Sequence, residues 1–85
     1  MRQDGAVVTV RYFAAARAAA GVSEERSDAP TIAALIESLG AARGDRLAKV
    51  LGAASFLVDG LTCHDRYTPL PPGATVDILP PFAGG

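Results

Sequence analysis

The residues best suited to chemistry stand at the end of the sequence, in the heptapeptide LPPFAGG from Leu79 to Gly85. A terminal carboxylate has a pKa of about 3.3–3.7, so it is ionised at neutral pH and is a poor electrophile. Conversion to an acyl-adenylate would let a sulfur or amine nucleophile displace AMP, and glycine suits this step because no Cβ hinders approach to its carbonyl. With sulfide as the net donor, the product is a thiocarboxylate. We therefore predict that Gly85 is the reacting residue, as an activated C-terminal carboxylate and thiocarboxylate site.

The residues before Gly85 have the properties of a stiff and narrow arm. Two consecutive prolines favour a polyproline conformation and cannot donate to a sheet, and six residues extend about 20 Å. We therefore predict a domain over residues 1–79 and an extended tail over residues 80–85. The predicted partner-binding residues of this tail are Pro80, Pro81, Phe82, Ala83 and Gly84. Phe82 either binds in a partner's pocket or packs against the domain. The alternative to a functional tail is that these residues have no selected role or are left over from cloning.

The composition narrows the classes of function. The chain has 85 residues, 49% of them hydrophobic, which is enough for one globular domain with a modest core. A net charge of −1 offers no basic surface for nucleic acid. Cys63 is the single cysteine and no zinc-ligand spacing exists, so we expect neither a disulfide nor a metal site. No signal peptide or membrane span is recognisable, so we expect a cytoplasmic protein.

The first half of the chain predicts a strand and two helices. Ala6–Phe13 is β-branched and aromatic with apolar groups on both faces, which indicates a central strand. Ala14–Ala20 has high helix propensity and stops at a glycine. The polar stretch Val22–Asp28 is interpreted as a loop or a short edge strand. The main helix starts at Pro30-Thr31 and is expected to end at Gly40, and its apolar stripe comprises Ile32, Leu35, Ile36 and Leu39.

The second half predicts a further helical segment and a β-hairpin. Arg43–Leu51 is expected to be helical, with Leu47, Val50 and Leu51 inward. Asp59-Gly60 between the apolar runs Ser55–Val58 and Leu61–Cys63 is a strong hairpin signal. Tyr67–Leu70 is expected to be extended, followed by a turn at Pro71–Gly73 and a last strand at Thr75–Leu79. This order indicates an α+β fold in which the main helix packs on one face of a mixed sheet. The β-grasp fold fits the order, and so do other small α+β folds.

Four segments resemble the small, sulfur-carrying subunit of molybdopterin synthase. They are VTVRYFAAARAAAG at Val8–Gly21, the helix at Pro30–Leu39, FLVDG at Phe56–Gly60, and PLPPGATVDILPPFAGG at Pro69–Gly85. The resemblance covers nearly the whole chain after its first residues, and the PP-x-x-GG ending is its most specific element. The polar stretch Val22–Asp28 departs from it, because the family has a clearer second strand there.

The resemblance implies a ubiquitin-like β-grasp fold and a sulfur carrier that is not catalytic on its own. It also implies that an ATP-dependent adenylating enzyme related to ubiquitin activators activates Gly85, and that a sulfurtransferase or cysteine desulfurase supplies the sulfur. The tail would then enter the large synthase subunit, where cyclic pyranopterin monophosphate is bound, within a heterotetramer. No bound cofactor is implied for the small subunit itself, since the ATP is used by the activating enzyme.

Three other functions stay open at this point. Carriers for thiamin thiazole or cysteine share the Gly-Gly ending, a ubiquitin-like tag would be joined to lysines, and a plain β-grasp domain would only bind a partner.

Several side chains outside the tail have a more ordinary interpretation. Cys63 is expected to be a packing residue, and Glu24 and Glu25 to be surface charges on a polar loop. Lys49 is the only lysine, and Arg11 on the central strand is a candidate for an exposed partner surface, as Arg17 is.

Overall fold

A mixed β-sheet covered on one face by helices forms the body of the protein, in a computed structural model that describes residues 7–81. The helices are α1 (Ala14–Ala20), α2 (Ile32–Arg43) and α3 (Asp45–Ala53). The strands are β1 (Val8–Tyr12), β2 (Glu24–Ser27), β3 (Ser55–Val58), β4 (Leu61–Thr62) and β5 (Thr75–Leu79). Within residues 7–81 the strand order is β2-β1-β5-β3-β4, and only the central pair β1 and β5 is parallel. This is the predicted α+β arrangement with a mixed sheet.

The core lies between the sheet and the helices because alternate residues of the central strands point to one face. Val10, Val76 and Ile78 are fully buried there, beneath Leu35 and Leu51 of the helices. The apolar stripe predicted for α2 is confirmed, since three of its four members are buried and Ile36 packs at the margin. Within residues 7–81 no helix is long and apolar enough to cross a membrane.

The local signals at element ends are largely confirmed. The Thr31 side chain accepts a hydrogen bond from the backbone N–H of Ala34 at 3.1 Å, as expected of a helix N-cap. Asp59 and Gly60 both have positive φ angles, 51° and 86°, which is the geometry of the predicted two-residue hairpin turn. The polar stretch Val22–Asp28 contains the edge strand β2, which settles the choice between a loop and a strand.

Two predicted helix boundaries are wrong, and both errors concern glycines. α2 continues through Gly40 to Arg43 and ends at Gly44, whose φ is 103°. Gly40 is needed for helix packing instead, because a Cβ at this position would lie 3.1 Å from the Cβ of Ala48 on α3. The second helical segment is α3, which begins at Asp45 rather than Arg43 and extends to Ala53.

The prediction of an extended segment at Tyr67–Leu70 is wrong in its first half. Tyr67 lies in a turn, whereas Pro69 forms an antiparallel bridge with Thr31 and Leu70 donates its backbone N–H to the carbonyl of Pro30 at 2.8 Å. The Asp65 side chain accepts the backbone N–H of Tyr67, and this local bond favours a turn over a strand. The turn predicted to follow it is present at Pro72 and Gly73.

Candidate functional site at the end of the central strand

The predicted tail leaves the fold from the middle of the sheet. β5 pairs with β1 on one side and β3 on the other, and it ends at Leu79, where sheet pairing was expected to stop. Pro80 is buried and Pro81 is exposed. A small, mostly apolar cavity of about 190 Å³ lies at this point, between α1 and α3, and is lined by Ala15, Lys49, Val50, Ala53, Pro80 and Pro81. Pro80 and Pro81, the first residues of the predicted tail, therefore lie beside α1 and α3.

The remaining predicted site residues lie outside the described range. Phe82, Ala83, Gly84 and Gly85 belong to this group. Their roles, and that of the whole segment 80–85 as an extended tail, stay predictions. Only the starting point of the tail is fixed by the described residues.

The face of the sheet opposite the helices carries an ion pair next to this exit. Arg11 of β1 donates from Nε and Nη2 to the two carboxylate oxygens of Asp77 on β5, at 2.7 and 3.0 Å. Asp77 is only 8% exposed, whereas the side chain of Arg11 is 47% exposed. The hydrogen bond to Asp77 raises the pKa of Arg11 further above its ordinary value. The guanidinium also lies 5.6 Å from the centre of the Phe13 ring.

A second carboxylate–arginine cluster lies on the helix side of the sheet. The Tyr12 hydroxyl donates to Glu25, and Arg43 donates to the same carboxylate from Nε and Nη2 at 2.7 and 2.9 Å. Arg43 also donates to the carbonyl of Ala20 at 2.9 Å. The cluster thus joins β1, β2 and α2 and reaches the end of α1.

Burial and the bond to Glu25 raise the pKa of Tyr12 well above its ordinary value, and the bond from Arg43 lowers the pKa of Glu25. Glu25 is therefore not the surface charge that was predicted, because β2 turns its side chain toward the helices. Glu24 is exposed on the other face. Sequence reasoning missed Glu25, although a strand at Val22–Asp28 would have placed Glu24 and Glu25 on opposite faces of the sheet.

The other side chains considered from the sequence show no catalytic arrangement. Cys63 follows β4 and packs against the core, as predicted, and its thiol lies 3.4 Å from the carbonyl of Asp65. His64 and Lys49 are exposed. Among the described residues, no group of histidine, cysteine and carboxylate side chains is arranged to hold a metal ion.

The fold with this strand exit defines a class of protein, the ubiquitin-like β-grasp proteins. Among solved structures, a Pyrococcus furiosus protein described as a candidate molybdopterin converting factor subunit 1 matches with a TM-score of 0.70 and 26% identity over 88% of this chain and 97% of its own. The HVO 2177 protein of Haloferax volcanii matches with a TM-score of 0.74 and 29% identity over 93% of this chain and 86% of its own. Small archaeal modifier protein 1 of Methanosarcina acetivorans matches with a TM-score of 0.76 over 94% of this chain and 97% of its own, and its 24% identity supports the fold alone.

The sequence profile of the ThiS family matches residues 10–85, which is most of the chain and includes the Gly-Gly ending. The chain therefore belongs to the ThiS family of ubiquitin-like sulfur carriers. The β-grasp fold and the sulfur-carrier resemblance expected from the sequence are both confirmed. None of the curated proteins compared matches the sequence.

Proposed function

We propose that this protein is the sulfur-donating small subunit of a molybdopterin synthase, with Gly85 as the residue that carries the sulfur. The observation that carries the proposal is the family match, which runs through the final Gly-Gly. The choice of pathway is supported by the Pyrococcus furiosus neighbour described as a candidate molybdopterin converting factor subunit 1, whose chain is covered almost completely. The predicted Pro80–Gly85 tail supports the chemistry, since it is long and narrow enough to enter another protein's active site.

The reaction uses the terminal carboxylate in two steps. A carboxylate oxygen of Gly85 attacks the α-phosphorus of ATP in the adenylating enzyme, and pyrophosphate leaves. Hydrosulfide, as the net sulfur donor, then attacks the carbonyl carbon, and the bond to AMP breaks with its electron pair going to AMP. The product is a thiocarboxylate, whose sulfur is a far better nucleophile than the original oxygen. The thiocarboxylate sulfur attacks an oxygen-bearing carbon of the substrate, and the carbon–oxygen bond there breaks as the oxygen takes its electron pair and a proton and leaves as water. Hydrolysis of the acyl–sulfur bond then leaves sulfur on the substrate and restores the Gly85 carboxylate.

The proposal assigns the catalytic groups to other proteins. An adenylating enzyme related to ubiquitin activators binds the ATP, and a sulfurtransferase or cysteine desulfurase provides the sulfur. A large synthase subunit holds cyclic pyranopterin monophosphate and receives the tail of this chain, in a heterotetramer of two small and two large subunits. A Helicobacter pylori complex of molybdopterin-converting factor subunits 1 and 2 contains a chain of this fold, which supports a partnership with a second subunit. Because adenylation consumes ATP, we place the reaction in the cytoplasm.

The test is the intact mass of the protein after incubation with the adenylating enzyme, ATP and a sulfur donor from the same organism. Replacement of one oxygen by sulfur adds about 16 Da, which oxidation of Met1 or Cys63 would mimic, so the C-terminal fragment must carry the added mass. We expect sulfur on Gly85 and transfer to cyclic pyranopterin monophosphate in the presence of the large subunit. A variant with one residue added after Gly85 is the control, and it should acquire no sulfur because the activated carbonyl is displaced.

Three outcomes would contradict the proposal in different ways. Sulfur on Gly85 that passes only to a thiazole or cysteine synthase would move the protein to another sulfur pathway. Higher-mass conjugates to lysines that require Gly85 would identify a protein tag. Function that survives the added residue would identify a binding domain in which the tail has no chemical role.

A further inference from the structure

The Arg11–Asp77 pair stands on the face of the sheet that the helices leave open. Within residues 7–81, Asp77 is the one charged residue that is buried. It is buried because β5 is central, with Arg11 of β1 directly opposite on one side and Leu57 of β3 on the other. A buried carboxylate needs a hydrogen-bonded cation, and Arg11 supplies one through two bonds.

The requirements of folding do not explain this pair. Replacing a buried ion pair by two apolar side chains is often neutral or stabilising, because the cost of removing charge from water offsets much of the attraction between the charges. The pair also leaves the side chain of Arg11 half exposed. Glu24 of β2 stands opposite Arg11 on the same face and also raises the pKa of Arg11, but among the described residues the guanidinium donates its side-chain hydrogen bonds to Asp77 alone. A guanidinium has five N–H donors, so several stay available to another molecule.

The guanidinium is held in one orientation before any partner binds. Asp77 fixes it from the strand beside it, and the ring of Phe13, the residue after β1, has its centre 5.6 Å from the guanidinium. An arginine fixed in this way loses less side-chain entropy when it binds a carboxylate, and the planar fork favours a two-bond contact. The arrangement is that of a preorganised donor for a carboxylate.

The position of the pair relates it to the tail. Asp77 and Leu79 point to the same face of β5, because they are two residues and about 7 Å apart on one strand. Pro80 follows immediately. A protein that receives the tail must approach this end of the sheet, and the half-buried side chains of Phe13 and Leu79 border Arg11 and Asp77 there. The occupant of this part of the open face is therefore the folded domain of the tail-receiving protein.

We propose that Arg11, oriented by Asp77, is a specificity-determining residue of this docking face and binds a carboxylate of the protein that receives the tail. The inference rests on the proposed function. Docking would bury the half-exposed guanidinium, so a partner that lacks an acceptor at this place would be rejected.

The test is calorimetric titration of the full chain with the large synthase subunit of the same organism. We expect Arg11→Gln to weaken binding about tenfold or more. The exchange variant Arg11→Glu/Asp77→Arg keeps an ion pair between β1 and β5 but turns a carboxylate toward the partner, so it should fold and should bind still more weakly than Arg11→Gln. Arg26 on the edge strand β2 is exposed on the same face of the sheet as Arg11, but it pairs with Thr9 at the end of β1 far from the tail. Arg26→Gln is therefore the matched control. It should change affinity less than about threefold.

The outcomes separate this inference from the proposed function. If the unaltered protein acquires sulfur on Gly85 and binds the large subunit, but the exchange variant binds equally well, the role of Arg11 is refuted and the function stands. An equal loss for Arg11→Gln and Arg26→Gln would also refute it, since a general charge effect would then explain both. If the unaltered protein neither acquires sulfur nor binds, both proposals fail. Restored binding of the exchange variant after reversal of the partner's carboxylate to lysine would identify the contact directly.

Discussion

Arg11 and Tyr12 are neighbours on β1, and their side chains enter two ion-pair clusters on opposite faces of the sheet. On the helix side, the Tyr12 hydroxyl and Arg43 share the Glu25 carboxylate, and Arg43 also binds a carbonyl at the end of α1. On the open side, the hydrogen bonds of the Arg11 side chain among the described residues go to Asp77 alone, and the pair joins two strands that are already paired. In both clusters an arginine donates two hydrogen bonds to one carboxylate. Only the Glu25 cluster connects helices to the sheet, because Arg43 belongs to α2 and also bonds the end of α1.

The difference suggests a division of labour between the faces. In the Glu25 cluster, hydrogen bonds pair polar groups of β1, β2, α1 and α2 that folding brings together, and the arginine side chain is 28% exposed. The Asp77 pair adds no connection between elements, and its arginine side chain is 47% exposed and close to the tail exit. A charged pair that links only strands already paired, and whose arginine is half exposed, is better explained by what binds there.

The largest effect on stability is expected from Arg43→Ala. This change leaves Glu25 with only the Tyr12 hydroxyl and removes the bond to the Ala20 carbonyl. The free energy of unfolding should fall by about 2–3 kcal/mol, measured by chemical denaturation. Arg46→Ala on the exposed side of α3 is the control and should cost less than about 0.5 kcal/mol. A loss for Arg43→Ala no larger than for the control would show that the cluster does not tie the elements together.

A smaller effect is expected from acid, again on the helix side. The bond from Arg43 lowers the pKa of Glu25 below its ordinary value of 4.5 in the folded state. A lowered folded-state pKa stabilises the fold above the unfolded-state pKa, and this contribution is lost as the pH falls through the folded value. Unfolding followed from pH 7 to pH 3 should therefore show a decline below about pH 4.5 that is shallower in Glu25→Gln. Identical pH profiles for the two proteins would contradict the assignment.

These clusters also mark the limit of what the sequence reveals. The strands, the main helix and the Asp59-Gly60 turn follow from patterns within short windows, so they could be predicted. Gly40 was misinterpreted because its reason, the close approach of Ala48, lies on another helix. Glu25 was misinterpreted because its partner Arg43 is 18 residues away and belongs to α2. Arg11 was identified as a surface candidate from its strand, but Asp77 was not, since 66 residues separate the pair in sequence. The chemistry proposed for the tail rests on a local sequence pattern and stays a prediction, whereas the Arg11–Asp77 pair beside it is visible only in the three-dimensional pairing of β1 and β5.

The smallest effect on stability is expected from Arg11→Leu/Asp77→Leu. Two leucines remove the charges together, leave no unpaired carboxylate, and can pack against Leu57 across the strand pair. The free energy of unfolding should stay close to that of the unaltered protein or rise. Asp77→Leu alone leaves Arg11 without its carboxylate but exposed to water, so it should also be tolerated, whereas Arg11→Leu alone leaves a buried carboxylate unpaired and should be the costliest of the three. Denaturation of the three variants measures this order. A double variant as unstable as Arg43→Ala would show that the pair supports the fold after all, and the contrast between the two faces would then disappear.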